Sequence, residues 1–355
     1  MEVAMKSLWM DETEIQDFPM LMQDITVDVA VVGGGMAGIL TAYLLKEQGV
    51  HVAVLEADRI GGGQTGKTTA KITSQHGVIY QKLLSKHGRE AAEKYSLENQ
   101  KAIDRYEKIV QDRQIACGFV RCPAYLYTLE APELLKEEAE CAAGLSIEAS
   151  FTKETELPFQ VAGAVRFENQ ARFHPLLFLE AAARDLAVYE HSRVLQAEGD
   201  RLVTENGSVR AKKIVFACHY PFLNMPGYYF MRMHQERSYV LALENTAKME
   251  GMYLGIDENG LSFRPDENVL LLGGGSHRTG ENAAGGRYAR LRRLAQRYWP
   301  ESREIAAWSA QDCMTLDGVP YIGPFSSSTP HWYVATGFQK WGMTSSMVAA
   351  QILTS

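Results

Sequence analysis

Three glycines at one junction restrict this chain more than any other feature. Gly33, Gly35 and Gly38 form G-x-G-x-x-G between the β-branched run ITVDVAVV and the apolar stretch MAGILTAYLLKEQG. In that context each has its own mechanical role. Gly33 permits a tight turn, Gly35 lets backbone approach a diphosphate, and Gly38 lets a helix pack closely on the strand. The run predicts a buried strand, the stretch a helix ended by Gly49, and HVAVLEAD a second strand. Strand, turn, helix and strand in that order make a right-handed parallel βαβ unit. Its helix begins with free N–H groups and the positive end of a dipole, both suited to phosphates. Glu56 closes the second strand 23 positions after Gly33, where a carboxylate accepts hydrogen bonds from ribose hydroxyls and repels a 2′-phosphate. The alternative is a turn of glycines that binds nothing.

With 355 residues and 46% apolar content the chain fills one large or two medium cores, which excludes disorder. The apolar stretch Val27 to Leu45 is interrupted by glycines, and no run reaches the length of a membrane span. The first residues lack a basic region followed by an apolar one, so a cytoplasmic protein is expected. A net charge of −7 with scattered basic residues argues against nucleic acid. Cys117, Cys122, Cys141, Cys218 and Cys313 show no C-x-x-C spacing, so they read as small buried apolar residues and no metal is expected.

Residues 1–24 mix charge, Met and Pro19 without a period and predict an extended lead-in lying on a folded surface. From Gln81 to Asp112 a charged amphipathic helix leaves the parallel-sheet rhythm. FVRCPAYLYTL, VAGAVRF, SYVLALE, GMYLGI and NVLLLGGG then predict a mostly antiparallel sheet. FHPLLFLEAAARDLA reads as a helix, while AKKIVFACHY and HWYVATGF read as strands of the dinucleotide type. The expected architecture is α/β. A Rossmann-like nucleotide-binding domain made of residues 1–80, 160–225 and 265–355 is interrupted by an antiparallel α+β substrate domain made of 81–159 and 226–264.

The cofactor expected in this fold is FAD rather than NAD. RIGGGQTGKTTAK places Gly61, Gly62, Gly63 and Gly66 with Thr65, Thr68 and Thr69 directly after the ribose-binding strand. A nicotinamide cofactor needs no such loop, whereas the pyrophosphate and ribityl chain of a flavin need backbone and hydroxyl donors along their length. Near the other terminus, Asp317, Gly318, Pro320, Tyr321, Ile322 and Gly323 precede HWYVATGF, and GMTSSMVAAQILTS then starts a helix. Aimed at the flavin N1 and C2 carbonyl, that electropositive start would stabilise an anionic reduced ring.

Together these elements resemble the D-amino-acid-oxidase-like FAD-dependent oxidoreductases, from about Ser7 to Leu353. The strings GQTGKTTAKITSQHG, RCPAYLYT, WSAQDCMTLDGVPYIG and ATGFQKWGMTSS are similar to a bacterial subgroup that often carries a C-terminal Rieske domain. No C-x-H with a following C-x-x-H occurs, so no such cluster is expected in this chain. The resemblance implies a nucleotide domain of the glutathione-reductase-2 type. It also implies flavin contacts at Gly33, Gly35, Met36, Ala37, Gly38, Glu56, Ala57, Arg59, Gly63, Thr65, Gly66, Lys67, Thr68 and Thr69. Val194 and Ala217 would add to these, with Gly337, Lys340, Trp341, Gly342 and Met343 on the pyrimidine side of the ring. His219 stands where the family has a glycine.

Departures from the family concern the substrate. Amino-acid oxidases of this class often place an Arg three residues before the Thr of T-x-D-G, and this chain has Asp312 before Thr315. Lysines that sarcosine-oxidase-like members use near Thr344 and Leu271 are missing. A free α-amino acid is therefore not expected. Asp312 is read instead as attracting the cationic group of an amine or amino-acid-like metabolite whose C–H bond passes hydride to flavin N5, as in an amine or amino-acid oxidase or dehydrogenase, the other reading being a local backbone cap. Lys340, His277, Tyr125, Tyr127 and Tyr239 complete the candidate catalytic set, the tyrosines as an aromatic roof over the ring or, in the alternative reading, as plain core residues. His76 is read as a flavin neighbour or a buried hydrogen-bonded histidine. Cys313 is out of register with the linking Cys of sarcosine oxidases, so FAD is expected to be non-covalent. Electrons would leave to oxygen or a redox protein. The competing functions are an FAD-binding scaffold or electron-transfer subunit without turnover, and a nicotinamide-linked dehydrogenase, for which no second nucleotide fingerprint is found.

Overall fold

Every side chain of Ala30–Val32 is buried, which only a strand covered on both faces allows. In the computed structural model, which describes residues 6–281 and 285–355, strand Ile25–Val32 lies inside an eight-stranded sheet. Val31 pairs in parallel with Val54 of strand Val52–Leu55 on one side and with Val215 of strand Ser208–Phe216 on the other. Trp332–Thr336 and Tyr321–Pro324 extend the sheet beyond Ser208–Phe216, and Ala187–Tyr189 extends it beyond Val52–Leu55. Helix Met36–Glu47 packs against the C-terminal helix Gly342–Thr354, which also contacts the long helix Tyr80–Asp112. In that long helix Gly88 adopts a positive φ of 78° and breaks it in two.

The second sheet has nine strands. Arg303–Thr315, Met233–Glu244, Val269–Arg278, Ser262–Asp266, Met252–Gly255, Val120–Thr128, Gly163–Arg172 and Lys71–Ile72 follow one another across it. Ala149–Thr152 pairs with Gly163–Arg172. All pairings are antiparallel except that of Met252–Gly255 with Val120–Thr128. The chain does leave the first sheet and return, but the strand membership differs from the expected division. Lys71–Ile72, Gly163–Arg172, Val269–Arg278 and Arg303–Thr315, expected in the nucleotide-binding part, belong to the second sheet. Alternation identifies a strand without saying which sheet it joins.

The N-terminal segment also differs from the expected surface lead-in. Leu8–Glu12 is a helix capped by Ser7, and Trp9 is fully buried. A single turn is too short to show a period in sequence. Among the described residues no helix is long and apolar enough to cross a membrane, and no group of His, Cys, Asp and Glu could hold a metal ion. The five cysteines are free thiols.

Lys71 opens the second sheet and donates to the Tyr253 carbonyl at 2.8 Å and to Ser262 Oγ at 2.7 Å. Burial, then the nearby Arg264 charge, pushes its ammonium down to about 7. The unfolded chain, with an ordinary value of 10.5, therefore binds more protons above about pH 7, and stability rises with pH across that window. The expected signature is a difference in unfolding free energy, wild type minus Lys71→Met, that grows in favour of wild type as urea titrations move from neutral to alkaline pH. A flat difference would show that the ammonium is not desolvated.

Candidate active site

A cavity of about 580 Å³ runs from the glycine turn to the start of the C-terminal helix, walled by segments from both halves of the chain. At its first end Gly33 holds φ +114°, and a Cβ there would lie 2.8 Å from the Ala217 carbonyl oxygen. A Cβ on Gly38 would overlap the Gly33 carbonyl, so the helix can lie this close to the strand only with glycine. Gly35 differs: a Cβ would meet only Thr65 Oγ1, at 3.3 Å, and would project into open cavity. The backbone thus shows the turn and close-packing roles read from the sequence, and the open space at Gly35 leaves room for a ligand.

Glu56 fastens the turn to the second strand. Its carboxylate accepts from the N–H of Gly34 at 2.6 Å and of Asp58 at 2.9 Å while lining the cavity. Thr65 Oγ1 accepts from the N–H of Met36 at 3.0 Å and so ties the Gly/Thr loop to the helix start. Turn, carboxylate and loop thus converge on a cradle whose open space lies where a glycine Cβ is missing. That fits a diphosphate joined to a ribose. Cys218 shares this wall; burial, then the charge of Glu56, pushes its thiol up to about 12, so it is a neutral donor to the Val32 carbonyl at 3.4 Å.

At the far end three charges meet. Strand Arg303–Thr315 brings Asp312 opposite Glu236, and the turn before the C-terminal helix brings Lys340 between them. Lys340 Nζ is 3.1 Å from Asp312 Oδ2, 3.2 Å from Glu236 Oε2 and 3.4 Å from Ser276 Oγ. Burial raises the Asp312 carboxyl above its ordinary range against the pull of Lys340. Burial also works against the Lys340 ammonium, but the two carboxylates outweigh it and hold the group above its ordinary value. His219, beside them on the cavity wall, is lowered by burial despite Asp312, so it is a neutral ring. The cation nearest Asp312 is thus the chain's own Lys340, a partner that the sequence reading did not foresee.

The cavity is lined by Gly33, Gly35, Met36, Ala37, Glu56, Ala57, Arg59, Gly63, Thr65, Thr68, Val194, Ala217, Gly337, Lys340, Gly342 and Met343 of the expected cofactor set, and by Asp312. Gly38, Gly66, Lys67, Thr69 and Trp341 do not line it. The expected tyrosine roof is not there either. Tyr125 stacks on Tyr253 at 4.5 Å in the core of the second sheet, and Tyr127 Oη donates to the Leu261 carbonyl at 3.1 Å. Tyr239 Oη is 3.1 Å from His277 Nε2, and this pair too is absent from the cavity wall. An aromatic residue at a buried strand position fits a core as well as a ligand wall, and the bulge between Arg237 and Tyr239 further shifts which side chains face inward. His76 is the buried, hydrogen-bonded histidine: it lies 2.6 Å from the Thr73 carbonyl and 2.5 Å from Tyr95 Oη, and stacks on Trp341 at 4.9 Å. Burial lowers it to about 3. Cys313 packs its sulfur against Met233 Sδ at 3.6 Å, outside the cavity lining. Arg193, Phe222 and Gln64 line the cavity without a sequence signal, since they come from irregular segments.

The family model described as FAD dependent oxidoreductase (DAO) matches residues 28–355, and the chain belongs to that family. It is an FAD-dependent oxidoreductase. Its sequence is 37% identical over 368 residues to YhfW of Bacillus subtilis (strain 168), a protein named as a Rieske 2Fe-2S iron–sulfur protein, covering 99% of this chain and 72% of that one. The fold is shared with glycine oxidase from Geobacillus kaustophilus, at TM-score 0.75 and 18% identity, with 92% of this chain and 93% of that chain covered. It is shared also with L-proline dehydrogenase from P. horikoshii, at TM-score 0.77 and 15% identity, with 93% of each chain covered.

Proposed function

We propose that FAD lies non-covalently along this cavity, its diphosphate at the glycine turn and its ring system near Lys340, Gly342 and Met343, and that the protein oxidises the C–N bond of an amine or amine-bearing metabolite. The observation that carries the reading is the three-charge cluster at the ring end of a cavity whose other end is a nucleotide cradle. Bound FAD supplies the hydride acceptor, its N5. The chain's residues supply orientation and charge. Glu56 accepts from ribose hydroxyls, and the loop bearing Thr65 and Thr68 follows the ribityl chain. Asp312 and Glu236 exceed Lys340 by one negative charge, which favours an ammonium-bearing substrate and disfavours a free carboxylate beside it. Glycine oxidase and L-proline dehydrogenase, whose fold this chain shares, are named for α-amino acids, which contain such a C–N bond but also the carboxylate that the charge of this site disfavours. Five free thiols are consistent with a reducing cytoplasm.

The test is anaerobic mixing of the flavin-loaded protein with amines and with α-amino acids. The expected result is loss of flavin absorbance with an amine and little or none with free α-amino acids. Flavin that dithionite bleaches but no amine or amino acid does would make the protein a flavin scaffold. Reoxidation in air, compared with artificial one-electron dyes, then separates oxygen from a redox protein as the acceptor.

A further inference from the structure

The loop between Leu55 and Lys71 is held from behind. Three consecutive carbonyls along it each accept a hydrogen bond from a different residue. Ser7 Oγ donates to Gly66, Trp308 Nε1 to Lys67 at 2.9 Å, and Trp9 Nε1 to Thr68 at 2.7 Å. Ser7, Trp9 and Trp308 are no more than 1% exposed, so water does not compete for these bonds. Trp9 is fixed in turn: the Arg264 guanidinium lies 5.0 Å over its ring and the His174 ring meets it edge-on at 4.8 Å. The Met10 methyl group fills the space that a Cβ on Gly66 would need. On its other side the same loop meets the cavity through Thr65 and Thr68.

A peptide carbonyl carries partial negative charge, and a diphosphate is an anion. In a glycine-rich loop beside that anion, a carbonyl without a partner turns to water or toward the cavity, where it repels the ligand. Indole N–H and hydroxyl donors on the far side remove that freedom, leaving hydroxyls to face the cavity.

We infer that Ser7, Trp9 and Trp308 are positioning residues for the cofactor: they hold the carbonyls of residues 66–68 away from FAD and so set its affinity without touching it. This rests on the flavin site proposed above. Two of the three come from the N-terminal segment and one from the second sheet, so the loop is clamped between parts of the chain that lie far from it in sequence.

The experiment titrates apoprotein with FAD, following flavin fluorescence and visible circular dichroism, with the apoprotein Tm measured in parallel. Trp9→Phe and Trp308→Phe keep an apolar ring and delete the donor. Ser7→Ala deletes the hydroxyl and Ser7→Thr keeps one. Each donor-deleting variant is expected to bind FAD about tenfold more weakly and to alter the flavin dichroism, with Ser7→Thr close to wild type. Unchanged FAD affinity in all the donor-deleting variants overturns the inference, as does weakening shared equally by Ser7→Thr. If a tryptophan variant does not fold, the serine pair decides. Wild-type apoprotein that takes up no FAD refutes the cavity reading itself, whereas wild-type binding with unaltered variants refutes this inference alone.

Discussion

Gly38→Ala is expected to lower the apoprotein Tm and to empty the protein of flavin. The added Cβ meets the carbonyl oxygen of Gly33 and, at 3.3 Å, Val31 Cγ1, and the first of these is backbone that cannot rotate aside. Helix Met36–Glu47 must then back away from strand Ile25–Val32, loosening its buried face against the C-terminal helix. Overpacking of this kind costs about 1–3 kcal/mol. For a chain of this size each kcal/mol lowers Tm by roughly 1–2 °C. The helix start, which in the proposed binding mode presents its N–H groups to the diphosphate, moves with the helix, so FAD retention is expected to be lost together with stability. Gly35→Ala makes the contrast. Its backbone φ is −80°, an ordinary value, and its Cβ meets only Thr65 Oγ1 while pointing into the cavity. That variant is expected to melt like wild-type apoprotein and still bind FAD poorly. Thermal melts and FAD titrations of both proteins check the pair, and a Gly38→Ala protein that melts and binds like wild type contradicts the close packing.

The contrast between those glycines also explains what the sequence discloses. Gly33, Gly35 and Gly38 can be assigned roles from the sequence because turn, helix start and strand end are local, and each demand falls on a single residue. Glu56 is legible for the same reason, as the last residue of the strand that follows. The charge cluster is not. Glu236 faces Asp312 only through the register of two long antiparallel strands, and Lys340 reaches both from a turn elsewhere in the chain. In sequence, Asp312 therefore reads as a vacant anion. Tyr125 and Tyr127 show the reverse error: alternation marks them as inward-facing, but the inside of the second sheet is a core of aromatic rings rather than a ligand wall. Trp9 escapes a reading by pattern because one helical turn among acidic residues carries no period, although it is fully buried and its indole N–H holds the Thr68 carbonyl.

Lys340→Met is expected to retain FAD but to lose at least about tenfold in kcat/KM for its amine, and to be destabilised most at neutral pH. The substitution keeps most of the apolar stem and removes the cation that bridges Asp312 and Glu236. Asp312 is 17% and Glu236 27% exposed, so the cluster is partly screened, and a loss of about 1–3 kcal/mol is the appropriate scale. The pH dependence follows from Asp312. Its carboxyl is already raised by burial, and removing the pull of Lys340 raises it further. A carboxyl with a raised value in the folded state takes up its proton more readily there than in the unfolded chain. Its stabilising contribution is therefore present in acid and lost as pH rises through the folded value. The stability gap between wild type and Lys340→Met should accordingly be small in acid and widen toward neutral pH in urea titrations. Asp312→Asn added to Lys340→Met removes both the unpaired charge and its titration, so the double variant should recover part of the stability and lose the pH dependence that Asp312 confers. Turnover should not return with it: the net excess of one negative charge survives, now on Glu236 alone, but the geometry that Lys340 imposed on the cluster is gone. A gap that is the same at all pH values would show that the two carboxylates do not share this lysine, and the charge argument for an amine substrate would fall with it.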